Sequence, residues 1–452
     1  MSEATPDPRA LAARFPAHFR WSAATSSFQI EGARTGDGRG RSIWDTQVEV
    51  PGWVKDGSTA EPGPDSYHRF GDDVALLREL GVDRYRFSLS WVRIQPQGAG
   101  PAEPRGLDYY DRLVDALLDA GITPFPTLYH WDHPQELEDA GGWLTRAMAD
   151  RFADYVQIVA DRLGDRVHHW YTLNEPVSMS LQGYGVGTLA PAKQLVVGTL
   201  PTVHHQLLAH GRAVQILRAS GAAEVGIPNN HTVVRPLHPE DGAAVATYDL
   251  LHNRLFADPI LSGTYPDLEA FGLPPMPARP GDLEIISTPL DFYGINFYNP
   301  TTVTRATTPG PVPFEIVSTP GLPVTGFGSE WPIDPSALHE LLIDFGARYG
   351  DRLPPMVIGE NGASFPEPDE AIRIDDKDRI SYLAGHIAAV ADAIDAGIDV
   401  REYTVWSLLD NFEWADGFTQ RFGLVHVDHC TSQRTPKASY DWYRALITEA
   451  HE

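Results

Sequence analysis

Segments with strand character and segments with helical character alternate along almost the whole of this 452-residue chain, often with glycine between them. Aromatic and β-branched runs predict the strands, and apolar residues at helical spacing predict helices such as 67–80, which ends before Gly81. Eight strands in this order predict a parallel sheet closed as a (β/α)8 TIM barrel, with long βα loops on one face. Such barrels can exceed about 400 residues as one domain. We therefore expect one domain over 1–452, with 1–17 as a flexible N-terminal extension.

Two of the predicted strands end in a glutamate. Residues 170–176 read W-Y-T-L-N-E-P and place Glu175 at a strand end, and residues 356–362 read M-V-I-G-E-N-G and place Glu360 at another. Because the C-terminal ends of parallel barrel strands open on one face, both side chains are expected to reach one pocket. A convergent pair of carboxyl groups favours glycoside hydrolysis. Either motif alone is more often a solvated loop, so the interpretation depends on the residues that accompany them.

Charge and cysteine content exclude several other classes of protein. The formal net charge of −26 disfavours nucleic acids and anionic membrane surfaces as partners. Cys430 is the single cysteine, which rules out an intrachain disulfide and a cysteine-based metal site. The first twenty residues lack an apolar stretch of signal-peptide length, so a cytoplasmic location is predicted. His130 has only His133 at ligand spacing, so we expect neither a metal nor a cofactor.

Three further segments carry predictions about the pocket. In the strand over 83–91, alternation places Arg86 on the interior face, where it requires an anionic partner. Gln29, at the end of a strand predicted within 19–33, offers donors and an acceptor to neighbouring hydroxyl groups. Residues 299–335 are rich in Thr, Pro and Gly and are either a wall of the pocket, which we favour, or a disordered excursion.

With these motifs in place, the chain closely resembles glycoside hydrolase family 1, the β-glucosidase family. The resemblance covers nearly the whole chain and is carried, in family order, by F-R-W-S-A-A-T-S-S-F-Q-I-E-G-A, T-L-N-E-P, D-F-Y-G-I-N-F-Y, V-I-G-E-N-G, W-S-L-L-D-N-F-E-W and R-F-G-L. It implies a single (β/α)8 catalytic domain and a retaining mechanism, with Glu360 as nucleophile and Glu175 as acid/base. Glu360 must be ionised to attack, so it is expected beside Arg86 and the hydroxyl of Tyr298. The negative charge of Glu360 should raise the pKa of Glu175, and the expected separation of the two carboxyl groups is about 5 to 5.5 Å.

The resemblance also implies the residues that bind the sugar. Hydrogen bonds to the glycone are expected from four side chains, with Asn174 at the 2-hydroxyl: Gln29, His130, Asn174 and Glu413. Trp131 and Trp406 are expected to stack, Trp414 to donate a hydrogen bond, and Asn296 and Phe422 to line the site. Because alternation would turn Asn174 and Glu175 to opposite faces, the strand must become irregular there. A non-proline cis peptide is expected between Trp406 and Ser407.

The substrate implied by the resemblance is a neutral β-glycoside with an ordinary oxygen leaving group. N-F-E-W stands where 6-phosphosugar enzymes of the family carry phosphate-binding residues, and Glu413 would repel a phosphate. Gly359 and Phe297 depart from the residues most frequent in the family, and they leave the fine specificity for the substrate open. The choice among glucoside, galactoside and fucoside, the balance of hydrolysis against transglycosylation and the oligomeric state stay open. The alternative function is a carbohydrate-binding pseudoenzyme, against which the presence of both Glu175 and Glu360 argues.

Overall fold

The computed structural model describes residues 6–308, 310, 312–367 and 374–452. Its main sheet is entirely parallel and follows the chain around a barrel. The strands are β1 Arg20–Ala24, β2 Arg84–Ser88, β3 Thr123–Tyr129, β4 His169–Leu173, β5 Glu224–Gly226, β6 Pro228–Asn230, β7 Tyr293–Asn296, β8 Met356–Asn361 and β9 Val400–Trp406. The predicted TIM barrel is confirmed.

The fifth strand of the barrel is divided into the two short strands β5 and β6. β5 pairs with β4 on one side, and β6 pairs with β7 on the other. Ile227 lies between the two halves and Pro228 begins the second, and a proline lacks the N–H that a continuous ladder would need. Together the two halves pair with neighbours on both sides, which closes the barrel.

Helices cover the outside of the barrel after each strand. The helix predicted over 67–80 is confirmed as Ser66–Leu80. The other large helices are Pro104–Asp119, Ala147–Leu163, Leu200–Ala219, Gly242–Asp249, Leu255–Ser262, Pro335–Tyr349, Lys377–Asp395 and Ala438–Ala450. The main apolar core lies between this helical layer and the strands and includes Trp21, Leu77 and Val159, all fully buried. None of the described helices is long and apolar enough to cross a bilayer.

The barrel interior carries charge at the level where the strands begin. Glu402 accepts hydrogen bonds from Ser22 at 2.6 Å and from Arg84 at 3.0 Å, and Arg84 also binds Glu224 at 2.7 Å. A small aromatic cluster that includes Phe125 and Tyr171, whose rings stack 4.2 Å apart, also packs inside. This filled interior leaves the C-terminal ends of the strands as the open face.

Two long segments differ in how they match the sequence predictions. Residues 1–5 lie outside the described residues, but within the predicted flexible extension Pro8–Ala12 forms a helix, and Arg14 binds Asp392 and Asp395 at 2.7 Å each. The extension is therefore anchored by ion pairs that its sequence did not reveal. Segment 299–335 forms the short strands Thr301–Arg305, Phe314–Val317, Val324–Thr325 and Gly328–Pro332, and it lines the cavity described below, which confirms the predicted wall.

Candidate active site

A cavity of about 240 Å³ opens where the barrel strands end. It brings together nine of the residues predicted from the sequence: His130, Trp131, Glu175, Tyr298, Glu360, Trp406, Glu413, Trp414 and Phe422. Four others lie directly behind them and form their hydrogen-bond partners: Gln29, Arg86, Asn174 and Asn296. No lysine or arginine lines this cavity in the described part of the chain.

Glu175 reaches the cavity because the backbone leaves the strand geometry just before it. β4 ends at Leu173, and Glu175 has a φ of 41°, in the left-handed region that non-glycine residues rarely adopt. Its backbone N–H donates to the carbonyl of Pro228 at 2.9 Å, which fixes this turn against the fifth strand. The predicted irregularity is therefore present, and it lets Asn174 and Glu175 both contribute to the site.

Glu360 is the next-to-last residue of β8 and is held from two directions. Nη1 of Arg86 donates to Oε1 of Glu360 at 2.6 Å, and the hydroxyl of Tyr298 donates to Oε2 at 2.6 Å. Glu360 is 3% exposed, so these donors replace the water that a buried carboxylate would otherwise need. Two strong donors of this kind stabilise the ionised form.

Two asparagines connect the glutamates through a continuous set of hydrogen bonds. Nδ2 of Asn296 donates to Oε1 of Glu175 at 2.8 Å and to Oδ1 of Asn174 at 3.0 Å. The same Oδ1 accepts from Nη2 of Arg86 at 2.6 Å, and Asn174 Nδ2 donates to Nε2 of His130 at 3.0 Å. Arg86 thus touches both the Glu360 carboxylate and the network that orients Glu175.

The surroundings of Glu175 favour its protonated form. Burial, and then the negative charge of Glu360, raise the pKa of Glu175 to about 7. Only the charge of Glu360 was expected from the sequence to raise this pKa, whereas burial is the larger cause. Hydrogen bonds from Ser178, Asn296 and Asn230 act in the opposite direction and keep the pKa close to neutrality.

Glu413 lines the cavity, and Gln29 lies directly behind it. The prediction that Gln29 ends a strand is wrong: β1 ends at Ala24, and Gln29 lies in the short helix Ser27–Ile30, fully buried. Its amide donates to the carbonyl of Phe412 at 2.9 Å and to Glu413 at 3.3 Å. Burial, and then Asp416, raise the pKa of Glu413 to about 8. Glu413 is therefore mostly neutral at pH 7, which weakens the expected repulsion of a phosphate by this residue.

Aromatic rings form the sides of the cavity. The ring of His130 stacks on Trp406 at 5.7 Å and on Trp414 at 6.0 Å, and Trp131 packs on Trp414 at 4.8 Å. Trp131 and Trp414 have positive φ angles of 78° and 50°, so both are placed by turns outside regular strands. The peptide bond between Trp406 and Ser407 is cis, as predicted. The pocket thus combines aromatic faces with a few buried polar groups, as small-molecule sites do.

Comparison with known proteins identifies the group to which this site belongs. The model of glycosyl hydrolase family 1 matches residues 11–452. The chain belongs to glycosyl hydrolase family 1. The thermostable beta-glucosidase B of Thermobispora bispora is 44% identical over 444 residues, covering 96% of this chain and 90% of that protein. The bifunctional beta-D-glucosidase/beta-D-fucosidase of Bifidobacterium breve is 42% identical over 460 residues, covering 96% and 98%.

A solved structure of the same family has the same fold. The complex of the virulence factor SghA of Agrobacterium tumefaciens with its substrate analog salicin matches with a TM-score of 0.93 and 40% identity, covering 99% of both chains. This family 1 chain is therefore a glycoside hydrolase.

Some residues of this family 1 site escaped the sequence-based prediction. Ser178 donates to Oε2 of Glu175 at 2.6 Å, and Asn230 lies 3.4 Å from Oε1 of Glu175. Phe327 and Trp331 come from the wall segment, and Trp331 packs on Tyr298 at 5.3 Å. The only signal for Ser178 was its position three residues after Glu175, and a tryptophan within a Gly- and Pro-rich loop was the signal for Trp331.

One cluster near the site contains residue types that bind metals. In the described ranges, ligand atoms of Glu367, Asp410 and His426 lie within 4.8 Å of one another. Lys437 already binds both carboxylates, at 2.8 Å for Asp410, and Arg379 binds Glu367 at 2.9 Å. Because these two side chains supply the positive charge, the cluster is best described as a buried ion-pair network.

Proposed function

We propose that the chain is a retaining β-glucosidase that removes terminal non-reducing β-D-glucosyl residues from neutral oligosaccharides and from aryl and alkyl β-glucosides. The observation that carries this proposal is the contrast between two carboxyl groups in one cavity. Glu360 is bound by Arg86 and Tyr298, whereas burial raises the pKa of Glu175 to about 7. One group suits a nucleophile and the other a general acid.

The first chemical step requires both groups at once. Glu360 attacks the anomeric carbon while Glu175 gives its proton to the oxygen of the leaving group, which departs as an alcohol. A covalent glycosyl ester on Glu360 results. As the ester forms, Glu360 loses its charge, and one of the two causes that raise the pKa of Glu175 disappears.

The second step uses Glu175 as a base. With its pKa lowered, ionised Glu175 takes a proton from water as the water attacks the anomeric carbon, which restores Glu360 and releases the sugar with retained configuration. An alcohol that replaces water in this step gives a new glycoside, so transglycosylation is part of the proposal. The separation of about 5 to 5.5 Å between the carboxyl groups stays a prediction.

The other cavity residues are proposed to recognise a neutral sugar. Gln29, His130, Asn174 and Glu413 act as hydrogen-bond partners, while Trp406 stacks on the ring and Trp414 donates to it. The absence of lysine and arginine from the described cavity wall supports neutral substrates over phosphorylated ones. The relative from Bifidobacterium breve is a glucosidase and fucosidase, which supports acceptance of β-fucosides here as well. A single catalytic domain and a cytoplasmic location stay predictions.

The decisive experiment traps the covalent intermediate. The protein is incubated with an activated 2-deoxy-2-fluoro-β-glucoside, and its intact mass and peptide map are measured. The fluorine slows both steps while the good leaving group lets the first proceed, so we expect one sugar on Glu360. A Glu360→Gln variant is the control and should take up none. Absence of an adduct together with absence of turnover of neutral β-glycosides would favour the carbohydrate-binding pseudoenzyme.

A further inference from the structure

A second chain of hydrogen bonds leads from Glu175 to a histidine that the proposed mechanism does not use. Nδ2 of Asn230 lies 3.4 Å from Oε1 of Glu175, and Oδ1 of the same amide lies 3.0 Å from Nε2 of His252. The other ring nitrogen of His252 lies 3.4 Å from the hydroxyl of Tyr248. His252 does not line the catalytic cavity, and it reaches Glu175 through Asn230.

His252 is held in place by an irregular stretch of helix. Leu250–Arg254 forms a π-helical turn between the helices Gly242–Asp249 and Leu255–Ser262. Such turns are rare and occur frequently at functional sites. The ring of His252 also stacks on that of Tyr248, with centroids 5.3 Å apart and an angle of 15° between the planes. The turn and the stacked ring together keep Nε2 directed at the Asn230 amide.

The direction of these hydrogen bonds follows from the protonation state of the ring. Burial lowers the pKa of His252 to about 4, so the ring is neutral at pH 7 and carries one proton. Oδ1 of Asn230 can only accept, so this proton lies on Nε2, and Nδ1 accepts from the Tyr248 hydroxyl. Because its oxygen is bound in this way, the amide presents its NH2 group to Glu175.

The two possible orientations of the Asn230 amide have opposite effects on Glu175. An NH2 group directed at Oε1 favours the ionised carboxylate and lowers the pKa of Glu175. A carbonyl oxygen in the same place would accept from the protonated carboxyl group and favour that form. The second orientation would also direct an N–H of Asn230 at the Nε2–H of His252, so the histidine selects the first orientation.

We propose that His252 is a positioning residue for the acid/base group, because it holds the Asn230 amide with its NH2 group toward Glu175. This inference rests on the proposed function, in which Glu175 is the acid of the first step and the base of the second. The donor from Asn230 favours the ionised form, which is the form that must activate water. His252 thereby limits the rise in the pKa of Glu175 that burial causes, and it keeps this carboxyl group usable in both steps.

The titratable groups around His252 keep their charge between about pH 6 and 8. Asp249, which precedes it on the same helical segment, forms an ion pair with Arg348 at 3.3 Å. Burial lowers the pKa of His231 to about 3 and raises the pKa of Tyr248 to about 12, so both are neutral. The other described residues around the hollow that His252 borders include no aspartate, glutamate, lysine or arginine.

The titratable side chains that face Glu175 are Glu360, Tyr298 and Glu413. Burial raises the pKa of Glu413 to about 8, so this group ionises in the same range as Glu175. Glu413 accepts from Gln29 at 3.3 Å and lies outside the chain of hydrogen bonds that ends at His252. A shift produced by a change at His252 is therefore assigned to Glu175.

The test measures kcat/KM for an alkyl β-glucoside as a function of pH. His252→Phe keeps a ring to stack on Tyr248 and removes the donor, so the Asn230 amide loses its fixed orientation. The alkaline limb should then move to higher pH by about 0.5 to 1 unit, which corresponds to the loss of one neutral hydrogen bond. His252→Gln offers an N–H near the position of Nε2 and should return the limb close to its wild-type position.

The outcomes separate this inference from the proposed function. An alkaline limb that stays in place in His252→Phe would overturn the inference and leave the proposed function intact. If the wild-type protein showed no alkaline limb, or if Glu175→Gln hydrolysed the alkyl β-glucoside at the wild-type rate, the proposed function itself would be wrong.

His204→Phe is the matched control. His204 is a buried histidine that also binds a tyrosine, Tyr265 at 2.9 Å, and its other nitrogen lies 2.9 Å from Asp282. Neither partner lines the catalytic cavity. His204→Phe should lower the midpoint temperature of thermal unfolding and leave the alkaline limb in place. Equal shifts of the limb in His204→Phe and His252→Phe would show a general effect of losing a buried histidine and would overturn the inference.

A measurement on the unmodified protein tests the inference even if His252→Phe does not fold. Nitrogen-15 NMR of the imidazole rings reports which nitrogen carries the proton, and the signals of His252 are assigned by their loss in His252→Gln. We expect the Nε2–H form from about pH 6 to 8. The Nδ1–H form would mean that Asn230 directs its NH2 group at His252 and its oxygen at Glu175, which would overturn the inference.

Discussion

Nη1 of Arg86 lies 2.6 Å from Oε1 of Glu360, while Nη2 of the same guanidinium lies 2.6 Å from Oδ1 of Asn174. One planar group thus fixes the proposed nucleophile relative to the network that orients Glu175. A lysine supplies the same charge as a single point and cannot span both acceptors. We expect Arg86→Lys to lower kcat by about 10²–10³-fold, as the loss of a pre-organised donor does elsewhere.

Arg84→Lys is the matched control for this substitution. Arg84 is buried two residues earlier on β2, but it binds Glu402 and Glu224 at the opposite end of the barrel. The Arg84→Lys substitution should lower the midpoint temperature of thermal unfolding and leave kcat nearly unchanged. Equal losses of kcat in the two variants would show that the arginines act through folding alone.

The role of Glu175 can be read from the dependence on the leaving group. Glu175→Gln preserves the shape and removes the proton, so kcat/KM for alkyl β-glucosides should fall by about 10²–10⁴-fold. Aryl β-glucosides with strongly acidic phenols need no protonation, and their release in the first turnover should change much less. Pre-steady-state measurement of phenol release checks this. The Glu360→Gln variant is expected to lose activity on both the alkyl and the aryl β-glucosides. A uniform loss across leaving groups would contradict the assignment of Glu175 as the acid.

The pH profile should report the pKa of Glu175, which the structure raises to about 7. Because the acid must be protonated in the free enzyme, kcat/KM should fall as the pH rises through about 7. Ser178 donates to Glu175 and lowers its pKa, so Ser178→Ala should move this alkaline limb to higher pH. Ser180→Ala, which removes a buried hydroxyl bonded to Gln206, is the control and should leave the limb in place. A limb that moves to lower pH in Ser178→Ala would contradict the assigned hydrogen bond.

The sequence was sufficient for the barrel and for the proposed catalytic pair because these depend on local patterns. Alternating strands and helices imply a parallel barrel, and a glutamate at a strand end must lie on its open face. Glu175 and Glu360 are therefore placed by rules that act over a few residues. The inward orientation of Arg86 was expected from the alternation within its strand, and the role of Tyr298 from the resemblance to the family.

The remaining features depend on contacts between distant segments. The split of the fifth strand follows from Pro228 and from pairing with neighbours on both sides. The approach of Asn230 to Glu175 and of Trp331 to Tyr298 depends on how separate loops cross the barrel face. Gln29 was placed on a strand because small residues precede it, yet the chain turns into a short helix after Ala24. The hydrophobic periodicity within one segment does not predict contacts between segments that are distant in the sequence.

The buried ion-pair network behind the site gives a prediction for stability. Interactions with Asp410 and then Glu367 raise the pKa of His426 to about 9, and the ring nitrogen lies 3.5 Å from Asp410. A raised pKa means that the charged histidine stabilises the folded state below the unfolded pKa of about 6.5, and that this contribution is lost as the pH rises towards about 9.

His426→Gln should therefore lower the free energy of unfolding at pH 7.5 by up to about 2 kcal/mol and by much less at pH 9.5. Denaturant titrations at the two pH values measure the difference. His386→Gln is the control: burial lowers the pKa of His386 to about 4, so this histidine is neutral in both states between pH 7.5 and 9.5. The decrease in the free energy of unfolding caused by His386→Gln should therefore be the same at pH 7.5 and at pH 9.5. If the cost of His426→Gln were also constant with pH, then His426 would be neutral in the folded protein, and Lys437 and Arg379 would carry the charge balance of the network.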